Sequence, residues 1–286
     1  MPQNTRDIRR RIKSVQNTAQ ITKAMEMVAA AKLRRVQEAV ALSRPYLQRM
    51  QQMLAELSGS IRHVKHPLLA DRPVRRTGYL VITADRGLAG PYNASVIRRT
   101  LQEVRHRERN TYTIFAIGRK GRDFFRRHGY PLDGEVTGVA DSPTYAGVVP
   151  LAEEIVAAYA SERFDELYMV YNEFINAVTS QTVVHKVLPL GDLGGDDEGR
   201  RVNFIYEPDE ETLLKSLLPR YAETLVYQAV LDAKASEHGA RMTAMGNATD
   251  AATEMIGTLT LALNRARQAA ITTQIAEVVG GAEALK

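Results

Sequence analysis

The stretch whose position is most typical of a ligand-binding turn is ITADRGLAGPYNASV, which begins at Ile82. It follows a short apolar run and opens a helical segment, where a doubly wound α/β fold places a phosphate-binding turn. Its glycines, Gly87 and Gly90, match neither the dinucleotide-binding pattern nor the P-loop pattern, and Pro91 suits the first turn of a helix. We favour a structural turn, and a phosphate site remains the less favoured interpretation.

Other clusters of polar residues offer little catalytic chemistry. The chain has no cysteine, which excludes disulfides, zinc–cysteine sites and thiol catalysis. The six histidines are dispersed, and His63 and His66 could share a metal only within a stretch that resembles a linker. Asp196, Asp197 and Glu198 lie in GDLGGDDEGR, where the ligand spacing is wrong for a calcium loop. We therefore predict solvated polar residues in both places, and neither a metal nor a cofactor.

The elements that would position a site alternate in the middle of the chain, residues 77–190. The runs YLVIT, YTIFAIG, ELYMVYNEF and TSQTVVHKVLPL predict strands, and the segments between the first three predict helices. The last two strands are separated by a short connection, which indicates a hairpin. This pattern predicts a Rossmann-like α/β domain with parallel strands and an antiparallel edge.

The first end of the chain, residues 1–58, is predicted to be a long helix. Pro45 predicts a kink or the local loss of one backbone hydrogen bond. Apolar residues recur mostly in steps of three and four: Met25, Val28, Val36, Ala39, Leu47, Met50, Leu54 and Leu57.

The other end, residues 209–286, is predicted to be a longer helix with Asp209 as its N-cap. Gly239, Gly246 and Gly257 are unfavourable in a helix, so we expect close approach of another backbone or a gentle bend there. An apolar seam alternates steps of three and four: Met242, Met245, Thr249, Ala252, Ile256, Leu259, Leu263, Ala266 and Ala270. The two terminal helices are therefore predicted to pair as a long antiparallel coiled coil.

Two smooth segments in these helices predict a large external partner. ITKAMEMVAAAKL, residues 21–33, has small and apolar residues on almost every side of the helix. The end of the longer helix extends beyond its partner by about 20 residues, or roughly 30 Å. Its apolar side chains face several directions, and such a tip would be an aggregation hazard if it were left bare.

The charge distribution of the chain does not exclude two further functions. The net charge is +5, and residues 1–35 carry a local excess of about +7, which fits a partner surface or a solvated face. A basic nucleic-acid binder is one alternative, although the basic residues are confined to one end and lack interleaved aromatics. A nucleotide-binding enzyme built on the central block is the other. No apolar run is long enough to span a bilayer, and the basic N-terminus lacks a secretory signal core.

Several stretches together resemble the gamma subunits of F-type ATP synthases, of the bacterial type. They are IRRRIKSVQNTAQITKAMEMVAAAKLRR, TADRGLAGPYN, YNEF, YEPD, LLPRY and ASEHGARMTAMGNATDAATEMI, together with LNRARQAAITTQIAEVVGGAEAL. They occur in the family's order and cover both ends and the centre of the chain. Plant-type members carry a cysteine-bearing regulatory insertion, which this chain lacks.

The resemblance implies a central rotor shaft and no catalytic site of its own. In the family, the coiled coil stands inside a ring of three alpha and three beta subunits, and the Rossmann-like domain lies beside epsilon on the membrane c-ring. Ion flow turns the c-ring and the shaft, and the asymmetric shaft alternates the conformations of the beta-subunit nucleotide sites. The chain is implied to occur once per complex, without nucleic acid or cofactor. Its implied location is peripheral, at the cytoplasmic face of the bacterial cell membrane.

The family pattern also implies which residues contact partners. Met25 lies near an acidic lever of a beta subunit, with Arg241 on the opposing helix in the same region. Arg267 and Gln268 match a polar catch higher on the shaft. From spacing alone, Met25 could equally pack in the coiled coil, and Arg267 and Gln268 could belong to a solvated face. Weaker candidates for the lever are Lys23, Lys32 and Arg34. The segment that meets the c-ring and epsilon matches Phe204, Tyr206 and Glu207.

Overall fold

A computed structural model describes residues 5–56, 66–177, 179–190 and 209–283 of the chain. The chain divides into two compact units. The helical unit comprises Met1–Val28 and Met242–Lys286, and the sheet-containing unit comprises Ala29–Arg241.

The sheet-containing unit is built on a five-stranded sheet with the order β3-β2-β1-β4-β5. Strands β1 to β4 are parallel, and β5 pairs antiparallel with β4. The predicted parallel sheet with an antiparallel edge is therefore confirmed. The strands are β1 Thr77–Ile82, β2 Tyr112–Ile117, β3 Leu132–Val136, β4 Glu166–Phe174 and β5 Ser180–Leu188.

Both faces of the sheet are covered, which explains why β1 is buried along its whole length. Leu80 and Ile82 pack into a core shared with the terminal helices, and Tyr79 and Val81 pack into a second core on the opposite face. The covering helices are α2 Tyr92–Val104, α3 Arg119–Arg127 and α4 Tyr145–Ala160, and a short 3-10 helix spans Pro67–Leu69.

Strand β3 is an element that the sequence pattern did not predict. Its sequence, LDGEV, contains two acidic residues and a glycine, all of which are depleted in strands. Gly134 is needed because a Cβ at this position would lie 2.7 Å from the ring of Phe115. The strand forms from its position beside β2 and not from its own propensity.

The terminal helices are α1, Thr5–Glu56, and α5, Glu210–Glu283. They pack antiparallel, as predicted, since Thr22 contacts Thr249 and Glu26 faces Gly246. The carboxylate of Asp209 accepts a hydrogen bond from the amide of Thr212 at 2.8 Å, which confirms the predicted N-cap. Helix α1 continues through Pro45. The proline therefore removes one ladder hydrogen bond without ending the helix.

The buried positions of α1 form a heptad seam that differs from the predicted one. Val28 was expected in the seam, but it is 53% exposed, and the adjacent Ala29 is 1% exposed. Counting back seven residues from Val36 reaches Ala29, so a small residue takes the seam position and the larger Val28 lies outside it. Leu57 lies outside the described residues. The buried members of α1 are Ile8, Thr22, Ala29, Leu33, Val36, Val40, Met50 and Leu54.

The predicted seam of α5 is confirmed from Met242 to Ala266, where each of its members is buried or half-buried. Ala270 was expected to continue the seam, but it is exposed. All residues from 267 to 282 are exposed as well. The seam of α5 therefore ends after Ala266, and the last turns of the helix have no apolar cover within the described chain.

Candidate interaction surface on the terminal helices

A polar layer interrupts the apolar seam of the helical unit. The hydroxyl groups of Thr22 and Thr249 lie 2.8 Å apart, and Thr22 is almost completely buried. One turn further along α1, the carboxylate of Glu26 faces Gly246, where an added Cβ would lie 3.7 Å from the carboxyl carbon. Polar groups in a coiled-coil seam favour the one alignment that pairs them, so this layer specifies the register of the two helices.

The side of α1 that faces away from the seam carries large apolar residues in contact with water. Ile21, Met27 and Val28 are all exposed in this stretch. On α5, Met255 and Leu261 are exposed in the same way. Of these residues, sequence periodicity placed only Val28 in a seam, because nearly every side of ITKAMEMVAAAKL is apolar or small.

The threonines of α5 direct their hydroxyl groups to their own helix. Thr253, Thr258, Thr260 and Thr273 each donate to the carbonyl four residues earlier, at distances from 2.7 to 3.2 Å. All four are exposed. A threonine hydroxyl that donates to its own backbone has no second hydrogen to donate to a partner. The methyl group of the threonine therefore dominates the surface that the helix presents.

The last turns of α5 expose several large apolar side chains. Ile271, Ile275, Val278 and Val279 are each about half exposed or more. A spacing of four residues places Ile271, Ile275 and Val279 along one face of the helix. The predicted bare tip is confirmed, and exposed apolar patches of this kind are typical of interaction sites.

The polar residues predicted to contact a partner differ in how strongly they are already paired within the chain. Lys23 is paired with Glu26 at 3.2 Å and remains about half exposed. Arg34 lies 3.6 Å from Glu38, with both side chains largely in water. Such surface pairs are weak, with a typical value of about 0–1 kcal/mol, so both cations can exchange partners at little cost.

Three other predicted site residues differ in how far their side chains are exposed. Met25 is half-buried, and Arg267 and Gln268 are exposed. The side chains of Arg267 and Gln268 form no ion pair or hydrogen bond with the described part of the chain. These positions are compatible with partner contacts, and those contacts remain predictions.

Two of the predicted cations are already bound within the sheet-containing unit. Lys32 donates to Asp141 at 2.6 Å. Burial acts to raise the pKa of Asp141, but the hydrogen bond and the charge of Lys32 outweigh burial and hold the pKa below its usual value. Arg241 donates to Glu237 at 2.8 Å and, from the same nitrogen, to the carbonyl of Gly87 at 3.4 Å.

Several polar residues around Arg241 are not marked by any motif or periodic pattern in the sequence. Lys234, Glu237 and His238 are buried although they are charged or titratable. Burial lowers the pKa of His238, which favours the neutral ring. The only signal in the sequence is the run LDAKASEHGA, where polar residues occupy every side of a predicted helix.

The turn after β1 is closed by its own side chains. Asp85 accepts hydrogen bonds from the amides of Arg119 at 3.1 Å and Gly138 at 2.9 Å, the residues that follow β2 and β3. Asn93 accepts one from the amide of Ala84 at 2.8 Å. These amides at the carboxyl edge of the sheet could otherwise bind a phosphate, so the geometry supports the structural turn.

Several predictions lie outside the described residues. These are the contacts of Phe204, Tyr206 and Glu207 and the acidic loop at 196–198. His63 also lies outside, whereas His66 accepts a hydrogen bond from the amide of Leu68 at 3.2 Å. Within the described ranges, no cluster of histidine and acidic residues could hold a metal ion. No helix in those ranges is long and apolar enough to cross a membrane.

Comparison with known proteins gives consistent matches along the whole chain. The model of the ATP synthase family matches residues 4–285. The ATP synthase gamma chain of Brevibacillus brevis is 51% identical over 286 residues, which cover 99% of each chain.

Solved structures share the fold. A chain in the mitochondrial ATP synthase of Euglena gracilis, in a structure of OSCP, F1 and c-ring, has a TM-score of 0.70 at 19% identity, covering 98% of this chain and 94% of that one. A chain in the rotor of the same enzyme has a TM-score of 0.64 at 20% identity, covering 93% and 98%. A chain in the central stalk and c-ring structure of the Tetrahymena thermophila enzyme has a TM-score of 0.62 at 24% identity, covering 80% and 99%.

Proposed function

We propose a mechanism from the premise that this chain belongs to the ATP synthase gamma-chain family. Its function is that of the central rotor shaft of an F-type ATP synthase. The shaft couples ion-driven rotation of the membrane c-ring to ATP synthesis or hydrolysis at the catalytic sites of the beta subunits.

The outward side of the helical unit acts as a bearing. The observation that carries this proposal is the combination of exposed apolar residues, such as Met27 and Leu261, with threonines whose hydroxyl groups bond to their own helix. Apolar contact has no preferred direction, so sliding from one angle to the next breaks no specific bond. A surface rich in directional hydrogen bonds would hold the shaft at one angle.

A few polar side chains on the terminal helices act as angular catches in addition to this bearing. Lys23 and Arg34 carry charge in water and hold their present partners weakly, which fits transient pairing with acidic residues of a beta subunit. Arg267 and Gln268 are exposed and fit a second catch nearer the tip. Met25 contributes an apolar contact beside the first catch.

Lys32 and Arg241 belong to the same set of proposed contacts, but each is already paired with a carboxylate of this chain. Asp141 and Glu237 already compensate these cations. Competition with a neighbouring carboxylate weakens any second ion pair. We therefore rank both below Lys23 and Arg34 as contacts for the lever.

The remaining parts of the proposal rest on the family resemblance. Phe204, Tyr206 and Glu207 contact the c-ring and epsilon, and residues 1–58, 77–190 and 209–286 form the two shaft helices and the central domain. One copy works with three alpha and three beta subunits, peripherally at the cytoplasmic face of a bacterial membrane. It catalyses no reaction and binds no cofactor, nucleotide or nucleic acid.

Rotation of a reconstituted complex tests this function directly. The chain lacks cysteine, so Asn110→Cys at an exposed position gives a unique attachment point for a bead on the central domain. We expect a complex with alpha and beta subunits to rotate the bead while it hydrolyses ATP. Cooperative ATP hydrolysis that persisted without this chain would refute the proposal.

A further inference from the structure

Helix α5 is enclosed on all sides between Gln228 and Gly239. Every residue from 228 to 239 is buried, which corresponds to about three helical turns. A helix on the surface of a domain buries one stripe, so continuous burial means that the chain surrounds this segment. The enclosed segment also contains polar residues: Gln228, Asp232, Lys234, Ser236, Glu237 and His238.

Three polar contacts reach this segment from different directions. Ser43 of α1 donates to the side chain of Gln228 at 2.6 Å. The hydroxyl of Tyr92 at the start of α2 donates to the carbonyl of Ala233 at 3.0 Å. The Nε2 atom of His238 donates to the carbonyl of Asp141, in the loop between β3 and α4, at 3.1 Å.

The spacing of these contacts places them around the whole helix. Gln228, Ala233 and His238 are each five residues apart, and five residues turn an α-helix by about 500°, or 140° beyond a full turn. The three positions therefore lie around the whole circumference, with gaps of about 140°, 140° and 80°. Gly239 adds a steric contact, since a Cβ there would lie 3.0 Å from the carbonyl oxygen of Ala177.

Ion pairs join the contacts into one network. Glu237 binds Lys234 at 3.0 Å and Arg241 at 2.8 Å, and all three side chains are largely shielded from water. Arg241 also approaches the Nδ1 atom of His238 at 3.5 Å. The neutral ring with its proton on Nε2 satisfies both contacts of His238, because Nε2 then donates and Nδ1 accepts.

We propose that this enclosed segment, residues 228–239, is a torque clamp that prevents α5 from turning about its own axis within the central domain. The inference rests on the rotor function proposed above. A helix held on one side can roll against its neighbour, whereas contacts at three angles oppose rotation in either sense. Torque applied to the domain then passes into the unbroken backbone of α5.

Angular fluctuations of a stalled rotor test the clamp. The ring of alpha and beta subunits is fixed to a surface, a bead is attached through Asn110→Cys, and the width of the bead's thermal motion is recorded. The test variant is Tyr92→Phe with His238→Leu, which removes two of the three contacts and changes side-chain volume little. We expect the mean-square angle to increase by up to about threefold, because two of the three restraining contacts are lost and distant contacts contribute additively.

Tyr145→Phe is the matched control. It also removes a tyrosine hydrogen bond to α5, at 2.8 Å from Glu223, but Tyr145 is partly exposed and Glu223 lies outside the enclosed segment. We expect the angular width of this variant to equal that of the unmodified chain. Tyr92→Phe alone, which leaves the histidine in place, is expected to give a smaller increase if the double variant fails to assemble.

The outcomes separate the clamp from simpler explanations. A purely stabilising role for Tyr92 and His238 would lower the melting temperature but leave the angular width unchanged well below it, and that result would overturn the clamp. Equal widths for Tyr92→Phe and Tyr145→Phe would also overturn it. If the unmodified chain supported no rotation, the rotor function itself would fail.

Discussion

The matched pair Val36→Ala and Val28→Ala tests where the seam of α1 lies. Both substitutions delete the same two carbon atoms from the same helix. Val36 is 0% exposed, whereas Val28 is 53% exposed. Since the gain in helix propensity is the same in both variants, about half a kcal/mol, any difference between them reports burial.

The expected magnitudes differ clearly. Removing two buried carbons from Val36 loses about 1.6 kcal/mol of transfer free energy, and an incompletely closed cavity raises the loss to about 2–3 kcal/mol. After the propensity gain, Val36→Ala should lower the free energy of unfolding by about 2 kcal/mol. Val28→Ala loses only about half of this transfer free energy and leaves no cavity. Its free energy of unfolding should therefore change by no more than about 0.5 kcal/mol.

Urea denaturation of the full chain, followed by far-ultraviolet circular dichroism, measures the difference. With a denaturant slope of about 3 kcal/mol per M, Val36→Ala should lower the midpoint by roughly 0.7 M and Val28→Ala should leave it nearly unchanged. Equal shifts would refute the seam that passes through Ala29 and Val36. They would favour the seam through Val28 that the sequence pattern predicted.

Three further outcomes follow from particular contacts. Met25→Lys should impair the coupling of ATP hydrolysis to ion pumping more than it changes the melting temperature, and normal pumping would count against the lever contact. Gly239→Ala should destabilise the chain because its Cβ meets a carbonyl oxygen at 3.0 Å, whereas Gly257→Ala, which meets nothing within 4 Å, should stabilise it by up to about 1 kcal/mol in thermal unfolding. Burial lowers the pKa of His238 below 6.5, its value in the unfolded chain. As the pH falls through 6.5, the unfolded chain therefore binds a proton at this ring before the folded chain does, and the free energy of unfolding decreases. His238→Gln should show a smaller loss of stability between about pH 7 and pH 5, and identical slopes would exclude a contribution from this ring.

Much of the architecture was predictable because local patterns carry it. The seam of α5 was visible in the alternating steps from Met242 onward, and Asp209 was recognisable as a cap from the acidic residues behind it. The parallel strands appeared as apolar runs because both faces of the sheet are covered. β3 gave no such signal, since its residues have low strand propensity and pair only because β2 is adjacent.

The candidate site was only partly predictable. Family resemblance pointed to Lys32 and Arg241, but it did not reveal that Asp141 and Glu237 already bind them. The residues that enclose α5 gave almost no signal. Tyr92 donates to a carbonyl 141 positions away, and no local period records a contact between such distant residues.

The periodic features of this protein follow from the order of its residues: two long helices with heptad seams, an alternating α/β block, and apolar surfaces too extensive for one chain to cover. These follow from the repeats of about 3.6 and 2 residues that helices and strands impose on neighbouring side chains. Folding alone establishes which cations have partners from distant parts of the chain, why Ala29 and not Val28 is buried, and how residues 228–239 are enclosed. Those features depend on atoms that folding brings together from distant parts of the chain, where the competition between burial, charge pairing and available space is resolved.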